Sequence, residues 1–267
     1  MVTGRATETK SAPTLPARAS PYNSAMTEPW YVTAFAAEYL QLYRHRSPAQ
    51  GRQQVQQMLA SGLLPKQGPV LDLCCGAGRH LLPMRESGLQ AYGLDLSLPL
   101  LRAGKLGGVS VRGNALRLPF ASGAFRCVTN LFSSFGYFPD DAAHALVLRE
   151  IARVLGPAGT LVLDHMNAAV TIACLKPETR EEIDGVQMFQ RRKYDAENRR
   201  VLKDVEYTVP GQQPRRWHES VRLFTPAELD KFMRDAGLSV SARYADLDAS
   251  PFDEANSPRQ VVVANKA

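Results

Sequence analysis

The sequence predicts an α/β fold in which a parallel sheet is followed by a smaller antiparallel sheet. Between residues 69 and 164, short apolar runs alternate with helix-forming segments, a rhythm typical of parallel strands joined by helical crossovers. After residue 172 the segments become longer and alternate apolar with polar residues, as expected for antiparallel strands. The 267 residues are enough for one domain with an elaboration.

The composition is that of an ordinary globular protein, with 45% apolar and 22% charged residues. No apolar run approaches the roughly 20 residues of a membrane-spanning helix, so we expect a cytoplasmic protein without a membrane partner. The four cysteines lack zinc-type spacing, and Cys74 is adjacent to Cys75, so we expect reduced thiols and no metal. A net charge of +6 permits a polyanionic partner without demonstrating one, and a monomer or homodimer is expected.

The amino-terminal part of the chain divides into two predicted segments. Residues 1–25 are rich in Ala, Thr, Ser, Pro and Arg without apolar periodicity, which predicts a disordered tail. From Trp30 to Arg46, apolar residues recur at three- and four-residue spacing, which predicts a helix. A second helix is expected at about residues 49–61, so that residues 26–64 are mainly helical and precede the sheet.

The parallel sheet and its crossovers are predicted between residues 65 and 175. Gly88 ends the first crossover helix, Ser97 is placed to cap the second, and Gly156 ends the third. The predicted strands are Val70–Cys74, Gln90–Leu94, Val109–Arg112, Ala124–Asn130 and Thr160–Asp164. The predicted helices are Arg79–Ser87, Pro99–Leu106 and Asp140–Leu155.

An antiparallel insert is predicted at residues 176–224, and residues 225–267 are expected to complete the main sheet. The insert is predicted as a three-stranded meander: Val186–Tyr194, Arg199–Val209 and Arg215–Phe224. Thr225 then precedes Pro226 as a helix cap, and that helix ends at Gly237. Leu238–Tyr244 and Gln260–Asn265 are predicted as an antiparallel hairpin at the sheet edge.

A glycine turn follows the first strand and is the strongest functional signal. Gly76-Ala77-Gly78 separates the strand from the helix, and its glycines allow a ligand to lie against the main chain and the helix N-terminus. A dinucleotide-binding turn needs a third small residue, but that position holds Leu81. Asp72 stands four residues before Gly76, and Asp95 ends the next strand.

The pattern Asp-x-x-x-Gly-x-Gly, with the second acid, resembles the class I S-adenosylmethionine (SAM) dependent methyltransferases. The segments Cys-Cys-Gly-x-Gly-Arg-His, Ser-Ser-Phe-Gly-Tyr-Phe and Arg-Leu-Phe-Thr-Pro-Ala-Glu-Leu look like a bacterial group of this superfamily with a β insert after strand five. That group is similar in build to small-molecule and sugar N-methyltransferases. The resemblance implies a Rossmann-like seven-stranded sheet, an N-terminal helical lid, SAM as cofactor and S-adenosylhomocysteine as product.

The resemblance also implies a cofactor map. The glycine turn would face the methionine part, Asp95 would accept from the ribose hydroxyls or only cap the next helix, and Leu96 would pack on adenine. Asn114 replaces the usual Asp of Gly-Asp-Ala-x-x-Leu-Pro-Phe, and its carbonyl can still accept the adenine amino group. In the lid, Arg46 could meet the methionine carboxylate. The predicted cofactor-binding residues are Asp72, Cys74, Gly76, Gly78, Asp95, Leu96, Asn114, Ala115, Leu116, Asn130, Tyr43 and Arg46.

The acceptor is less well specified by the sequence. The segment after strand four begins Asn130-Leu-Phe-Ser without prolines, which disfavours DNA adenine and release-factor glutamine as targets. Cys127 lies inside a predicted strand, which disfavours a cytosine C5 enzyme. The predicted substrate contacts are Tyr39, Tyr137, Asp164, Asn167 and His218. The catalytic residue is unassigned; its candidates are His165, His218 and Tyr137, although a histidine in either position is more often structural than catalytic.

The sequence therefore predicts in-line transfer of a methyl group from SAM to a nitrogen or oxygen atom of a small molecule. Two alternatives remain. Residues 191–216 of the insert contain eight Lys or Arg against four acids, so an RNA methyltransferase is possible but not favoured over a solvated strand face. The second alternative is a non-catalytic SAM-binding protein.

Overall fold

The computed structural model describes residues 29–35, 47–183 and 185–267. Its helices are α1 (Trp30–Ala34), α2 (Pro48–Ala60), α3 (Leu81–Glu86), α4 (Leu98–Ala103), α5 (Asp141–Val154), α6 (Ala168–Ala173) and α7 (Pro226–Asp235), with a 3-10 turn at Ser134–Tyr137. Its strands are β1 (Pro69–Leu73), β2 (Gln90–Asp95), β3 (Ser110–Arg112), β4 (Phe125–Asn130), β5 (Leu155–Met166), β6 (Glu178–Ile183), β7 (Val186–Asp195), β8 (Arg200–Thr208), β9 (Arg215–Arg222), β10 (Leu238–Tyr244) and β11 (Arg259–Lys266).

The main sheet has seven strands in the order β10-β11-β5-β4-β1-β2-β3. Strands β1 to β5 pair in parallel, whereas β11 pairs antiparallel with β5 and with β10. The predicted fold class, an α/β sheet of seven strands with an antiparallel addition, is therefore confirmed, including the hairpin at the edge.

The central strands are buried on both faces because their sequences are nearly continuous apolar runs. Side chains of successive residues point to opposite faces of a strand, so Val70 and Leu71 of β1 belong to different halves of the core. Leu71 packs in the half covered by α5, and Val70 packs in the half covered by α2 and α3. This two-sided packing fixes the carboxyl ends of β1, β2 and β4 along one edge.

The amino-terminal helix differs from its prediction. Helix α1 ends at Ala34, and Phe35 leaves the helical conformation with φ −94° and ψ 54°. The helix expected over Trp30–Arg46 is therefore wrong at Phe35. The rest of that prediction, with Tyr39, Tyr43 and Arg46, lies outside the described residues, as does the predicted tail at 1–25.

The insert is a four-stranded antiparallel sheet in the order β6-β7-β8-β9, not the predicted three-stranded meander. The additional strand, β6, has the sequence Glu-Thr-Arg-Glu-Glu-Ile and pairs antiparallel with β7. It carries no apolar alternation that would have predicted it. β6 is held at the sheet edge by backbone pairing with β7, which the pattern of its side chains does not reveal.

The insert contacts the main sheet at its carboxyl edge. Arg200 of β8 donates hydrogen bonds to the carbonyl oxygens of Phe138 (3.1 Å) and Gly136 (3.2 Å), in and after the 3-10 turn. Helix α1 packs against β9. The insert and α1 therefore lie beside the same edge at which β1, β2 and β4 end. Over residues 29–35, 47–183 and 185–267, no helix is long and apolar enough to cross a membrane.

Candidate functional site

A cavity of about 620 Å³ lies at the carboxyl edge of the main sheet. Open α/β sheets bind ligands at this edge, and the volume is typical of a small-molecule site. The lining comes from the segments after β1, β2, β3 and β4 and from α1. Of the predicted cofactor and substrate residues, the cavity is lined by Asp72, Cys74, Gly76, Asp95, Leu96, Asn114, Ala115 and Tyr137.

The glycine turn has the backbone conformation that its glycines predict. Gly76 and Gly78 have φ of +55° and +81°, a region that residues with side chains rarely adopt. A Cβ atom on Gly78 would lie 2.7 Å from Cδ2 of Leu106, so a side chain at this position would clash. Gly78 packs against Leu106 and is not part of the cavity lining. The Gly76 N–H donates to Oδ2 of Asp95 at 2.7 Å, which ties the turn to the end of β2.

Asp72 is a buried carboxyl group with one oxygen left over. Its Oδ1 accepts a hydrogen bond from Thr129 Oγ1 at 3.1 Å, while Oδ2 is buried and has no such partner within the described parts of the chain. Burial raises the pKa of Asp72 to about 7, and the Thr129 hydrogen bond opposes that shift. An unpartnered buried carboxylate oxygen beside a cavity is suited to a cationic ligand group, because unmet buried acceptors are rare.

Asp95 holds the residue that begins the next helix and also lines the cavity. Its Oδ1 accepts from the Ser97 N–H at 2.8 Å, and Ser97 Oγ accepts from the Leu100 N–H, which begins α4. The carboxylate also lines the cavity and keeps acceptor capacity for a ligand. Burial raises the pKa of Asp95, and the N–H groups of Ser97 and Gly76 counteract it.

The remaining predicted cofactor residues divide into lining and support. Asn114 lines the cavity, and its Oδ1 accepts from the Leu116 N–H at 3.0 Å. Leu116 is not part of the lining. Asn130 is not part of the lining either. It is buried, and its Nδ2 donates to the Leu73 carbonyl at 3.1 Å. Leu116 and Asn130 are thus placed to support the turns that carry the lining residues.

The turn after β4 is strained and anchored by Asp164. Phe132 and Ser133 have consecutive positive φ values of 58° and 62°, a costly conformation for residues with side chains. Asp164 accepts from the Phe132 N–H at 3.0 Å through Oδ2 and pairs with Arg259 at 2.5 Å through Oδ1. Asp164 was predicted to contact the acceptor; its carboxylate is 1% exposed and lies outside the cavity lining, so this contact stays a prediction.

Asn167 and His165 also lie away from the cavity. Asn167 is fully buried, donates to the carbonyls of Glu254 and Ser257 and caps α6 through its Oδ1. His165 is fully buried with Nε2 2.9 Å from the Arg222 carbonyl, and burial lowers its pKa to about 3. Both therefore bond to the protein itself in this structure, and the substrate role of Asn167 and the catalytic role of His165 stay predictions.

The other two catalytic candidates differ in position. His218 is half-exposed on β9, where its Nδ1 lies 2.8 Å from Asp204 Oδ1, and it does not line the cavity. Tyr137 lines the cavity from the 3-10 turn. Among the three catalytic candidates, Tyr137 alone is at the site.

Several lining residues were not predicted from the sequence. They include Tyr31, Phe35, Arg79, His80, Phe132 and Phe138. The Arg79 guanidinium stacks 3.9 Å from the centre of the Phe132 ring. His80 Nε2 lies 2.9 Å from Gln54 Oε1, and burial lowers its pKa to about 3. Both residues follow the second glycine directly, and that position at the start of α3 was the available signal.

Comparison with known proteins finds similarity to methyltransferases. Residues 70–159 match the family described as a methyltransferase domain. A demethylmenaquinone methyltransferase from Corynebacterium kroppenstedtii is 41% identical over 110 residues, which are 40% of this chain. The match covers 45% of that relative, so this chain spans less than half of its length.

Two solved structures share the fold over most of the chain. The CcbJ methyltransferase from Streptomyces caelestis superposes with a TM-score of 0.76 and 24% identity, over 88% of this chain and 99% of that one. SAM-bound CalS10, an amino pentose methyltransferase from Micromonospora echinaspora, gives a TM-score of 0.63 with 20% identity, over 86% and 96%. Residues 70–159 thus resemble a methyltransferase domain in sequence, and the chain shares its fold with solved methyltransferases.

Proposed function

We propose that the protein transfers the methyl group of SAM to a nitrogen or oxygen atom of a small molecule. The observation that carries this proposal is the Asp72 carboxyl group, which lines the cavity and has one buried oxygen without a hydrogen-bond partner among the described residues. The ammonium group of SAM matches that acceptor in charge and in hydrogen-bonding capacity.

The other lining residues fit the remaining parts of the cofactor. Asp95 is placed to accept from the ribose hydroxyls, and Leu96, Asn114 and Ala115 border the space for adenine. The aromatic rings among the lining residues offer faces that attract a cation such as a sulfonium. In the described residues no group of three His, Cys, Asp or Glu side chains could hold a metal.

The chain's contribution to the reaction is alignment and exclusion of water. The bound cofactor supplies an activated methyl group, so holding the acceptor atom in line with it removes much of the barrier. A base is needed only to take the acceptor's proton. Tyr137 is the predicted catalytic candidate that reaches the cavity, so it is our candidate for contact with the acceptor.

A small-molecule acceptor is supported by the relatives and by the insert. The matched relatives are named for demethylmenaquinone and for an amino pentose. Three basic residues of the insert pair with acids of the same sheet: Arg191 with Glu178 at 3.2 Å, Lys203 with Glu219 at 3.4 Å and Arg216 with Glu206 at 2.6 Å. For this reason we do not propose RNA as the acceptor. RNA binding that fell steeply with salt would reopen that alternative.

Calorimetric titration with SAM and S-adenosylhomocysteine tests the cofactor map. We expect Asp95→Ala and Asn114→Ala to weaken binding by roughly tenfold or more, since each removes a ligand hydrogen bond worth about 1–3 kcal/mol. Asp204→Ala, in the insert, is the matched control and should bind normally. Unchanged affinity in both site variants would show that the map is wrong.

Release of S-adenosylhomocysteine across a panel of acceptors tests turnover. The proposal expects release above the background rate with at least one small molecule. Tight SAM binding without release for any acceptor, including RNA, would favour the non-catalytic alternative instead.

A further inference from the structure

Among the described residues, the insert contributes none to the lining of the cavity. The loop after β4, residues 131–139, contributes more, and we call it the β4 loop. Its lining residues are Leu131, Phe132, Ser134, Tyr137 and Phe138. An influence of the insert on the described cavity therefore has to pass through neighbouring segments, and the β4 loop is one of them.

The start of the β4 loop is fixed by β5 of the main sheet. The Phe132 N–H donates to Oδ2 of Asp164 at 3.0 Å, and the Ser133 N–H donates to the Asp164 carbonyl at 3.0 Å. Ser133 Oγ accepts from the Met166 N–H at 3.0 Å. These bonds hold the two residues of positive φ, so the loop leaves β4 in a defined direction.

The middle of the loop, the 3-10 turn, packs closely on both sheets. A Cβ atom on Gly136 would lie 2.7 Å from the carbonyl oxygen of Arg222 in β9 and 2.8 Å from Cε1 of His165 in β5. Both distances are shorter than real Cβ contacts, so a side chain here would force a shift. The turn is therefore seated where the insert meets the main sheet.

A side chain of the insert, Arg200 of β8, binds the end of the loop. Its guanidinium donates to the carbonyls of Phe138 (3.1 Å), Gly136 (3.2 Å) and Pro139 (3.5 Å). It also donates to Ser220 of β9, to Oγ at 2.7 Å and to the carbonyl at 3.0 Å. Carbonyls at the end of a helical turn lack partners within it, and the planar fork of arginine can meet several of them at once.

Tyr137 stands between two of the carbonyls that Arg200 binds. The Gly136 carbonyl belongs to the peptide bond before Tyr137, and the Phe138 carbonyl belongs to the residue after it. Gly136 and Phe138 are buried, so leaving these carbonyls without a donor is costly and the loop would shift towards water. The side-chain direction of Tyr137 follows its backbone, so that direction depends on Arg200.

We propose that Arg200 is a positioning residue for methyl transfer, through which the insert holds Tyr137 at the cavity. Arg200 does not line the cavity, so it acts through the β4 loop and not on the acceptor. The inference rests on the proposed function, because it concerns the candidate contact to the acceptor. The cofactor acids Asp72 and Asp95 stand at the ends of β1 and β2, so cofactor binding should not depend on Arg200.

A local probe at residue 137, together with ligand binding, tests the inference. A single 3-fluorotyrosine in place of Tyr137 reports the surroundings of that ring by fluorine NMR in the S-adenosylhomocysteine complex. In Arg200→Ala we expect the signal to move or split, while affinity for S-adenosylhomocysteine stays within twofold of wild type. Arg216→Ala is the matched control and should change neither, because Arg216 is 77% exposed and pairs with Glu206 within the insert.

Turnover separates positioning from a purely structural role. With an acceptor that the panel identifies, kcat of Arg200→Ala should fall at least tenfold while KM for SAM stays within twofold, because misplacement of a contact by about 1 Å is enough for such a loss. Ethylguanidinium should restore kcat at least fivefold and return the fluorine signal, whereas ethylammonium, which lacks the planar fork, should not. A purely structural arginine would lower the free energy of unfolding and leave the signal and kcat of the folded protein unchanged.

Two milder variants keep the test decisive if Arg200→Ala does not fold. Arg200→Lys keeps the charge without the fork, and Ser220→Ala removes the Oγ that accepts from Arg200 at 2.7 Å. Both should move the fluorine signal of residue 137 in the same direction as Arg200→Ala, by less.

The outcomes separate the two proposals. Failure of S-adenosylhomocysteine to bind wild-type protein would count against the proposed function. Normal binding with an unmoved fluorine signal in Arg200→Ala, or in both milder variants, would overturn the positioning role of Arg200 alone. The fluorine signal needs no acceptor, so it decides the matter even before one is identified.

Discussion

The carboxyl edge of the main sheet and the insert both carry many polar side chains, but they satisfy them differently. At the edge, Oδ2 of Asp72 and Oδ1 of Asn130 are buried without a hydrogen-bond partner in the described structure. In the insert, Glu219 meets Lys203 at 3.4 Å and accepts from Trp217 Nε1 at 3.0 Å. Unmet hydrogen-bonding capacity in a buried place is costly, and it is retained where a ligand completes it.

The same contrast separates residues within the edge. Asp164 and Asp72 are both buried acids at strand ends, and the sequence suggested a ligand role for each. Asp164 uses both oxygens on the protein, for the Phe132 N–H and for Arg259. Asp72 keeps one oxygen unused by those parts of the chain that the structure describes. Removing the charge of Asp164 should therefore lower the stability of the fold, whereas removing the charge of Asp72 should weaken the binding of SAM.

Asp164→Asn is expected to cause the largest loss of stability. The change leaves Arg259 without its partner and weakens the anchor of the strained turn, so the free energy of unfolding should fall by about 3 kcal/mol. Chemical denaturation at pH 7.5 measures it. Asp204→Asn is the control, because its carboxylate is 74% exposed and pairs with His218 at the surface, where the loss of stability should stay below about 0.5 kcal/mol. Equal losses of unfolding free energy in Asp164→Asn and Asp204→Asn would contradict the structural role of Asp164.

Asp72→Asn should have the opposite signature. Loss of the charge-assisted hydrogen bond to the ligand ammonium should weaken SAM roughly 10- to 100-fold in a titration. The pKa of Asp72 is raised to about 7, so its contribution to stability is full below about pH 4 and is lost as pH rises through 7. The variant is neutral at every pH, so at pH 8 it should be more stable than wild type, by up to about 4 kcal/mol. Lower stability at pH 8 would contradict this account.

The affinity of wild-type protein for SAM should depend on pH through the same group. Below about pH 7 the Asp72 carboxyl is protonated in the free protein, because burial raises its pKa to about 7. Binding the ammonium then requires loss of a proton, so affinity should fall by about tenfold per unit from pH 7 towards pH 5.5. Titrations in that range should show the slope in wild type and not in Asp72→Asn. If Asp72→Asn showed the same slope as wild type, the pH dependence of SAM affinity would come from another group.

Much of the cofactor end could be predicted because its signals are local. Asp72, Gly76 and Asp95 stand at strand ends that apolar runs and glycines mark in the sequence. In a parallel sheet, such ends meet along one edge, so neighbouring strands bring their acids together without further information. The structure places these three residues in the cavity lining.

The aromatic contacts in the cavity lining, and the structural partners of Asp164 and Asn167, could not be predicted in the same way. Tyr31 and Phe138 meet across 107 positions of sequence, through packing that no local pattern encodes. Asp164 and Asn167 follow β5 or lie near its end as a ligand-binding residue would, and only their partners on distant segments, Arg259 and Ser257, identify them as structural. Likewise, β6 was missed because edge pairing rather than side-chain alternation holds it.

His218→Ala should have the smallest effect and is the sharpest test of the insert's role. The imidazole lies half-exposed on β9, faces Asp204 of β8 and does not line the cavity, so turnover of an accepted substrate should stay within twofold of wild type from pH 6 to pH 9. Tyr137→Phe, which removes a hydroxyl from the lining, is the comparison and should change kcat more than His218→Ala does. A tenfold loss of kcat in His218→Ala, with normal SAM affinity, would show that the insert closes over the site and supplies a catalytic group, because a surface ion pair alone contributes little.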